Sequence, residues 1–242
     1  MANTIKGYIT SIINDFSKEE LTPYAKNPFE IAIRMLYNPE LKSVYMFIPG
    51  LMAFILTLIS AFMTSITLTK EKELGNMEIL LISPLKPYQI IVGKVIPYAI
   101  LSIFNIGTIL GFGKYLFNMP FNGSILLLWA ESILFLFSAL ALGIMISSFT
   151  SSRQVAMMAS LSGLLLPTLL LSGFIFPIAN MPNVLQYFTY IVPAKYFITI
   201  IKSIMIKGNG FEYIISETLA LAGFTLLFVL ISIKKFNVRL DK

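Results

Sequence analysis

The sequence predicts an all-α polytopic membrane protein: five transmembrane helices, a short helix on the cytoplasmic face and a re-entrant hairpin on the opposite one. Composition is the first reason. Of 242 residues, 57% are apolar and 12% charged, with mean hydropathy +0.82, whereas a soluble domain carries about 25% charged residues. The second is the length of the uncharged runs, since a hydrocarbon core of about 30 Å needs roughly 20 helical residues. The third is that the 18 basic residues sit in short clusters between those runs, which membrane topology explains better than a nucleic-acid face would. The chain has neither histidine nor cysteine, which excludes zinc hydrolysis, cysteine nucleophiles, disulfides, haem ligation and histidine acid–base catalysis.

The first span runs from Ser43 to Thr69, between Lys42 and Lys70, without a charge. The second follows Lys86, from about Tyr88 to Gly113, with Lys94 near its start. The third covers Ser124 to Phe149 and carries Glu131; the fifth covers Glu212 to Ile233 and carries Glu217. Between Arg153 and Lys195 no charge occurs, and Pro167, Gly173, Pro177, Pro182 and Pro193 interrupt the run. A second full crossing over Val184 to Ile206 would place the basic tail outside, against the positive-inside rule. The expectation is therefore one span, Gln154 to Phe176, then a re-entrant hairpin to about Gly210, because irregular backbone is tolerated at membrane depth when protein buries it.

Charge counting orients the bundle. Lys70, Lys72, Lys86, Arg153, Lys234, Lys235, Arg239 and Lys242 fall on one side, and Lys114, Lys195, Lys202 and Lys207 on the other. The first set is expected to be cytoplasmic, with the C-terminus, which leaves residues 1 to 43 outside. That segment lacks a signal-peptide pattern. Its first 22 residues read as an amphipathic helix, with Ile5, Tyr8, Ile9, Ile12, Ile13 and Phe16 at helical spacing. An outside N-terminus with no apolar segment before it suggests that an upstream membrane helix is missing.

The loop after the first span reads KEKELGNMEILLISP, residues 70 to 84. Gly75 suits a left-handed C-cap and Asn76 an N-cap. Glu78 then lies in a first turn, where the helix dipole favours an acid, and Ser83-Pro84 ends the helix. Leu74, Met77, Leu80 and Leu81 make an apolar stripe that a partner's groove accepts; the alternative is a solvated loop whose lysines only fix topology. Glu131 and Glu217, near the outer ends of their helices, are either anchors that reach headgroups, Lys195 or Lys202, or contacts along a substrate pathway. Gly107 with Gly111, and Ala139 with Gly143, permit close helix contact. No GxxxxGK[ST] motif is present.

Residues 34 to 55, 70 to 98 and 171 to 208 resemble, in that order, the membrane subunit of bacterial type-2 ABC exporters, the multidrug-type permeases. The first cytoplasmic loop of that family matches at Lys70, Glu71, Lys72, Glu73, Gly75, Glu78, Leu80, Ser83 and Pro84, and the start of the next span at Gly93 and Lys94; Asn76 replaces the usual Thr. The resemblance implies that the loop is a coupling helix docking on a separate cytoplasmic ATP-binding subunit, which would hold ATP and Mg while this chain binds no cofactor or metal itself and is not an enzyme. It also implies a second permease copy, identical or homologous, residence in the cytoplasmic (inner) membrane, and an extracytoplasmic hairpin containing Pro177, Met181, Pro182 and Pro193. A full member begins with one more helix and an extracytoplasmic domain. Residues 1–43 are thus expected to be that domain's C-terminal remnant and 44–242 the transmembrane domain. An ion-coupled secondary transporter or channel would need repeated halves with discontinuous helices, and no repeat is visible. An intramembrane enzyme, or a fragment that no longer transports, are the remaining alternatives.

Overall fold

The computed structural model describes residues 11–12, 37–38, 40, 42–75 and 87–237. The amphipathic helix expected over 1 to 22, save Ser11 and Ile12, and the short helix expected over 76 to 82 lie outside the described residues. Contacts divide the chain between Ser43 and Val44. In the first unit, the Asn38 side chain donates to the Lys42 carbonyl at 3.0 Å and accepts from its amide at 2.9 Å, while Lys42 pairs with Glu40 at 2.6 Å.

The second unit is helical, with no strand among the described residues. Five helices are long and apolar enough to cross a membrane: α1 (Val44–Glu73), α2 (Pro87–Tyr115), α3 (Ile125–Phe149), α4 (Arg153–Leu170) and α7 (Ile215–Asn237). Between α4 and α7 lie α5 (Asn183–Thr189) and α6 (Pro193–Met205). Local sequence sets the ends. Ser124 and Ser152 accept from the amides of Leu127 and Val155, each at 3.4 Å, and so cap α3 and α4. Gly75 adopts φ +72° and ends α1, as its position in the sequence predicts.

The expected span limits hold within about four residues except in the fourth, which stops at Leu170 rather than Phe176. Gly173 takes φ +80° there, and residues 171–177 turn back so that the Phe174 ring packs against Gly50 of α1, where a Cβ would not fit, and lies 5.4 Å from the Phe47 ring. Two spans contain a π-helical turn, Thr57–Phe62 in α1 and Leu161–Leu165 in α4. The second has a local cause: the ring of Pro167 would collide with the carbonyl four residues back, and widening the helix relieves it. In α1 no proline lies nearby. There the wide turn places Ala61 against Gly143 of α3.

Residues 183–205 form a hairpin whose two helices meet at 85°. The chain enters it from residues 173–174, which lie against Gly50 and Phe47 of the first turns of α1. Its bend reaches the middle of the bundle: Phe197 stacks on Phe135, eleven residues into α3, at 4.1 Å. It then returns to the starting end, where the amide and side chain of Asn122 donate to the carbonyls of Met205 and Ile206 at 3.1 and 2.9 Å and so satisfy a helix C-terminus. This is a re-entrant path and not a sixth crossing. Phe197, Ile198, Ile200, Ile201, Ile204 and Met205 are buried, so α6 is enclosed by α1, α3 and α7.

Gly143 marks the tightest helix contact, and the expected pairing of Ala139 and Gly143 is used within the chain. A Cβ there would lie 2.5 Å from the Ala61 carbonyl oxygen. Gly143→Ala is therefore expected to destabilise the bundle by about 1–3 kcal/mol, read as an earlier loss of the monodisperse peak when detergent-purified protein is heated. Gly111→Ala, where a Cβ meets nothing within 4 Å, should leave that temperature unchanged or raise it.

Candidate coupling site at the charged end of the bundle

The last turns of α1 carry Lys70, Glu71, Lys72 and Glu73, and a helix of 30 residues is about 45 Å long, so these charges stand beyond a hydrocarbon layer of about 30 Å. Three consecutive residues there reach three different helices. Glu71 accepts from Lys94 of α2 at 2.8 Å. Lys72 donates to the carbonyl of Ser147 in the last turn of α3. Glu73 accepts from both the backbone amide and the guanidinium of Arg153, at 2.8 and 3.0 Å, at the first residue of α4. Each sign suits its helix end, since a cation complements a C-terminus and a carboxylate an N-terminus. Lys235 of α7 lies 5.5 Å from the Phe149 ring centroid, so all five spans meet at this end.

A ladder of hydroxyls continues the grip into the bundle. Ser60 bonds Ser102 at 2.8 Å and Thr67 bonds Tyr98 at 2.6 Å, both toward α2. Ser65 bonds Ser160 of α4 at 2.7 Å, and Thr69 bonds Thr150 after α3 at 3.0 Å. The α2 partners, 94, 98 and 102, recur every four residues and so share one helix face. Interhelical hydrogen bonds of this kind average about 0.6 kcal/mol each in a membrane. They fix register and orientation more than they add stability.

The sequence-predicted residues fall into three groups. Lys70, Glu71, Lys72, Glu73 and Gly75 form the end of α1, and Gly93 and Lys94 the start of α2; of these, Glu71, Lys72, Glu73 and Lys94 are engaged inside the chain. Asn76, Glu78, Leu80, Ser83 and Pro84 lie outside the described residues. Pro177, Met181, Pro182 and Pro193 build the hairpin: Pro177 and Ile178 frame a 3-10 turn through Asn180, the Met181 carbonyl accepts from Gln186 at 2.8 Å, Pro182 leads α5 and Pro193 begins α6.

Of the alternatives for Glu131 and Glu217, a pair with Lys195 or Lys202 is not formed among the described residues. Glu131 is buried and accepts from Thr218 of α7 at 2.8 Å. Lys195 instead donates to Thr189 at 3.1 Å and sits 3.3 Å above the Tyr190 ring, while Lys202 faces the Gly173 carbonyl. Lys195 thus finds its acceptor within the hairpin and Lys202 in the turn after α4, and neither pairs with an acid among the described residues. Glu217 is half-buried in the first turn of α7 and forms no salt bridge among the described residues.

The hydroxyl ladder was not anticipated from sequence. Its signal is the density of Ser and Thr at 57, 60, 64, 65, 67 and 69 within an otherwise apolar run, a composition that favours helix association in lipid.

Five spans, a re-entrant hairpin and a charged end organised around one helix define a polytopic α-helical membrane protein. Residues 1–234 match the family model described as ABC-2 family transporter protein, and the chain belongs to that family. It is 32% identical over 99% of its length to the probable multidrug ABC transporter permease YbhS of Escherichia coli. It is also 32% identical over 88% of its length to the probable multidrug ABC transporter permease YbhR of the same organism, and 29% over 98% to the inner membrane transport permease YhhJ. The aligned region covers 64%, 58% and 64% of those three proteins, so the chain spans less than two thirds of the length of the curated relatives it matches.

The Glu71–Lys94 pair is the most sheltered of the charged contacts, with the Glu71 side chain 16% exposed. A double-mutant cycle of Glu71→Gln and Lys94→Met, followed by thermal unfolding in detergent, should show a coupling energy of about 1 kcal/mol. The Glu73→Gln and Arg153→Gln cycle should show a smaller one that high salt removes.

Proposed function

We propose that the chain is the permease part of an ATP-driven exporter. The reading is carried by one observation: the two legs of the loop over residues 74–86 are clamped to each other by Glu71 and Lys94, and the leg formed by α1 also grips α3 and α4. A displacement imposed on that loop would be passed to four helices at once. Family membership supports the direction of the argument, and two of the matched relatives are named as multidrug ABC transporter permeases.

In this mechanism a separate cytoplasmic subunit holds ATP and Mg and does the chemistry. The short helix over 76 to 82, with Asn76, Glu78, Leu80, Ser83 and Pro84, docks in its cleft, and two permease copies shift between inward and outward openings in the cytoplasmic membrane. Coupling is limited to the difference in ATP affinity between the docked states. In this reading the positive-inside rule favours a cytoplasmic charged end, with the C-terminus, residues 1–43 belong to an extracytoplasmic domain and 44–242 form the transmembrane domain. The hairpin would then open toward the outside. Glu131 acts as an anchor between α3 and α7, through Thr218, in preference to a pathway contact.

Glu78→Lys, at the proposed docking face, should abolish substrate-stimulated ATPase in the reconstituted complex while membrane insertion is unaffected. Glu71→Lys should do the same by releasing the clamp, and Glu71→Lys combined with Lys94→Glu should restore much of the stimulation. Because the chain lacks cysteine, Met77→Cys gives a unique thiol whose crosslink to the ATP-binding subunit should change in yield with ATP. Full stimulation in Glu78→Lys would overturn the docking role.

A further inference from the structure

Glu131 lies in the second turn of α3, about 9 Å below the first residue of that helix. A helix of 25 residues is about 37 Å long, so this carboxyl falls inside a hydrocarbon layer of about 30 Å. The residue is 3% exposed. Leu128 and Phe135 share its face of α3, and Ile214 and Leu221 flank Thr218 at the same helical spacing; all four are buried.

No counter-ion accompanies it. Of the elements packed on α3, α6 carries Lys195, held by Thr189 and the Tyr190 ring, and Lys202, which faces the Gly173 carbonyl. The Tyr196 hydroxyl of the same helix donates to the Tyr190 carbonyl. On α2, Lys114 stands 5.8 and 6.0 Å from the ring centroids of Tyr115 and Phe121, and Tyr98 bonds Thr67. Tyr45 of α1 packs on the apolar core, and on α7 the neighbour of Thr218, Glu217, is itself an acid. The charges of α1 and α4, with Lys94 of α2 and Lys234 and Lys235 of α7, stand at the opposite end of the bundle. No salt bridge reaches Glu131 among the described residues.

The hydrogen bonds point the same way. Thr218 Oγ1 lies 2.8 Å from Glu131 Oε1 and 3.0 Å from the Ile214 carbonyl oxygen. A hydroxyl has one proton, so beside an ionised carboxylate, which only accepts, it serves one of these oxygens and leaves the other unbridged. With a proton on Oε1, the acid donates to Thr218, Thr218 donates to Ile214, and both contacts are hydrogen bonds. Oε2 has no hydrogen-bond partner; in a neutral acid it is an uncharged carbonyl oxygen, whereas in a carboxylate it would bury charge that nothing offsets.

We propose that Glu131 is a proton-binding site, held as a neutral carboxylic acid that donates to Thr218 and so joins α3 to α7. Release of the proton to water leaves a carboxylate, toward which Thr218 turns its own proton at the expense of the Ile214 contact. The charge is then stranded in the apolar layer and the joint between α3 and α7 weakens. A proton needs no chamber, so the tight packing around Oε2 is no obstacle. The proposal rests on the anchor role given to Glu131 above and not on an ATP-binding partner.

The test compares the full chain in lipid nanodiscs with Glu131→Gln by infrared difference spectroscopy at neutral pH. The carbonyl stretching band of a protonated carboxyl should be present in the wild type and absent from the variant. Thr218→Val removes the acceptor and should move that band to higher frequency, a comparison that stands without the glutamine variant. In detergent, the temperature at which the monodisperse peak is lost should be the same for wild type and Glu131→Gln at neutral pH. As the pH is raised to alkaline values it should fall further in the wild type, because the stabilising acid form is lost there. Carboxylate bands in place of the carbonyl band at neutral pH overturn the proposal, and so do equal alkaline losses in the two proteins. A carbonyl band that Thr218→Val leaves unmoved overturns the anchor role instead, since the acid would then be protonated without joining the helices.

Discussion

Successive residues of a helix point about 100° apart, and at the end of α1 that simple geometry ties the bundle together. Glu71, Lys72 and Glu73 radiate in three directions and meet α2, α3 and α4. None of the three would hold its partner if α1 ended at the membrane surface. A helix of about 45 Å in a layer of about 30 Å must carry its last turns into water, where charges are tolerated and where the ends of neighbouring helices present complementary partial charges. Further down, the same helix can offer only hydroxyls, because a charge at that depth is costly, and Ser60, Ser65, Thr67 and Thr69 fill that role.

The two halves of the bundle are held by different physics. Toward the charged end, specific pairs fix register between α1 and its neighbours. Toward the other end, a close-packed apolar core surrounds α6, and polar groups are satisfied locally: Asn122 at the C-terminus of α6, Thr218 for one oxygen of Glu131, Tyr190 and Thr189 for Lys195. The hairpin is possible at membrane depth because protein encloses it. Where its bend meets the wide turns of α1 and α4, packing is incomplete and a chamber remains.

Much of this was legible in the residues. The uncharged runs located all five crossings, Gly75 marked the end of α1, and the positive-inside argument against a sixth crossing agrees with the 85° bend. The fourth span ends before the sequence predicts because residues 171–176 carry no charge, and an uncharged run does not distinguish a helix that continues from a segment folded back onto Gly50. The partners of Glu131 and Lys195 were misjudged for a related reason. Opposite charges attract in a sequence argument, whereas in the fold each group took the nearest acceptor or donor that its own element or neighbour supplied.

Composition, run length and charge placement determined that this chain is a helical membrane protein, how often it crosses and where its loop of charged residues lies, because the bilayer penalises every misplaced charge and every unsatisfied backbone group by several kcal/mol. Which serine faces which was left to tertiary structure. Ser60, Ser65, Ser132 and Ser138 are chemically identical and each fits an apolar helix. Only the rotation of the helices, set by packing at Gly143 and Ala61 and by the wide turn at 57–62, made two of them bridges between helices, closed one on its own backbone and left the last buried without a hydrogen-bond partner.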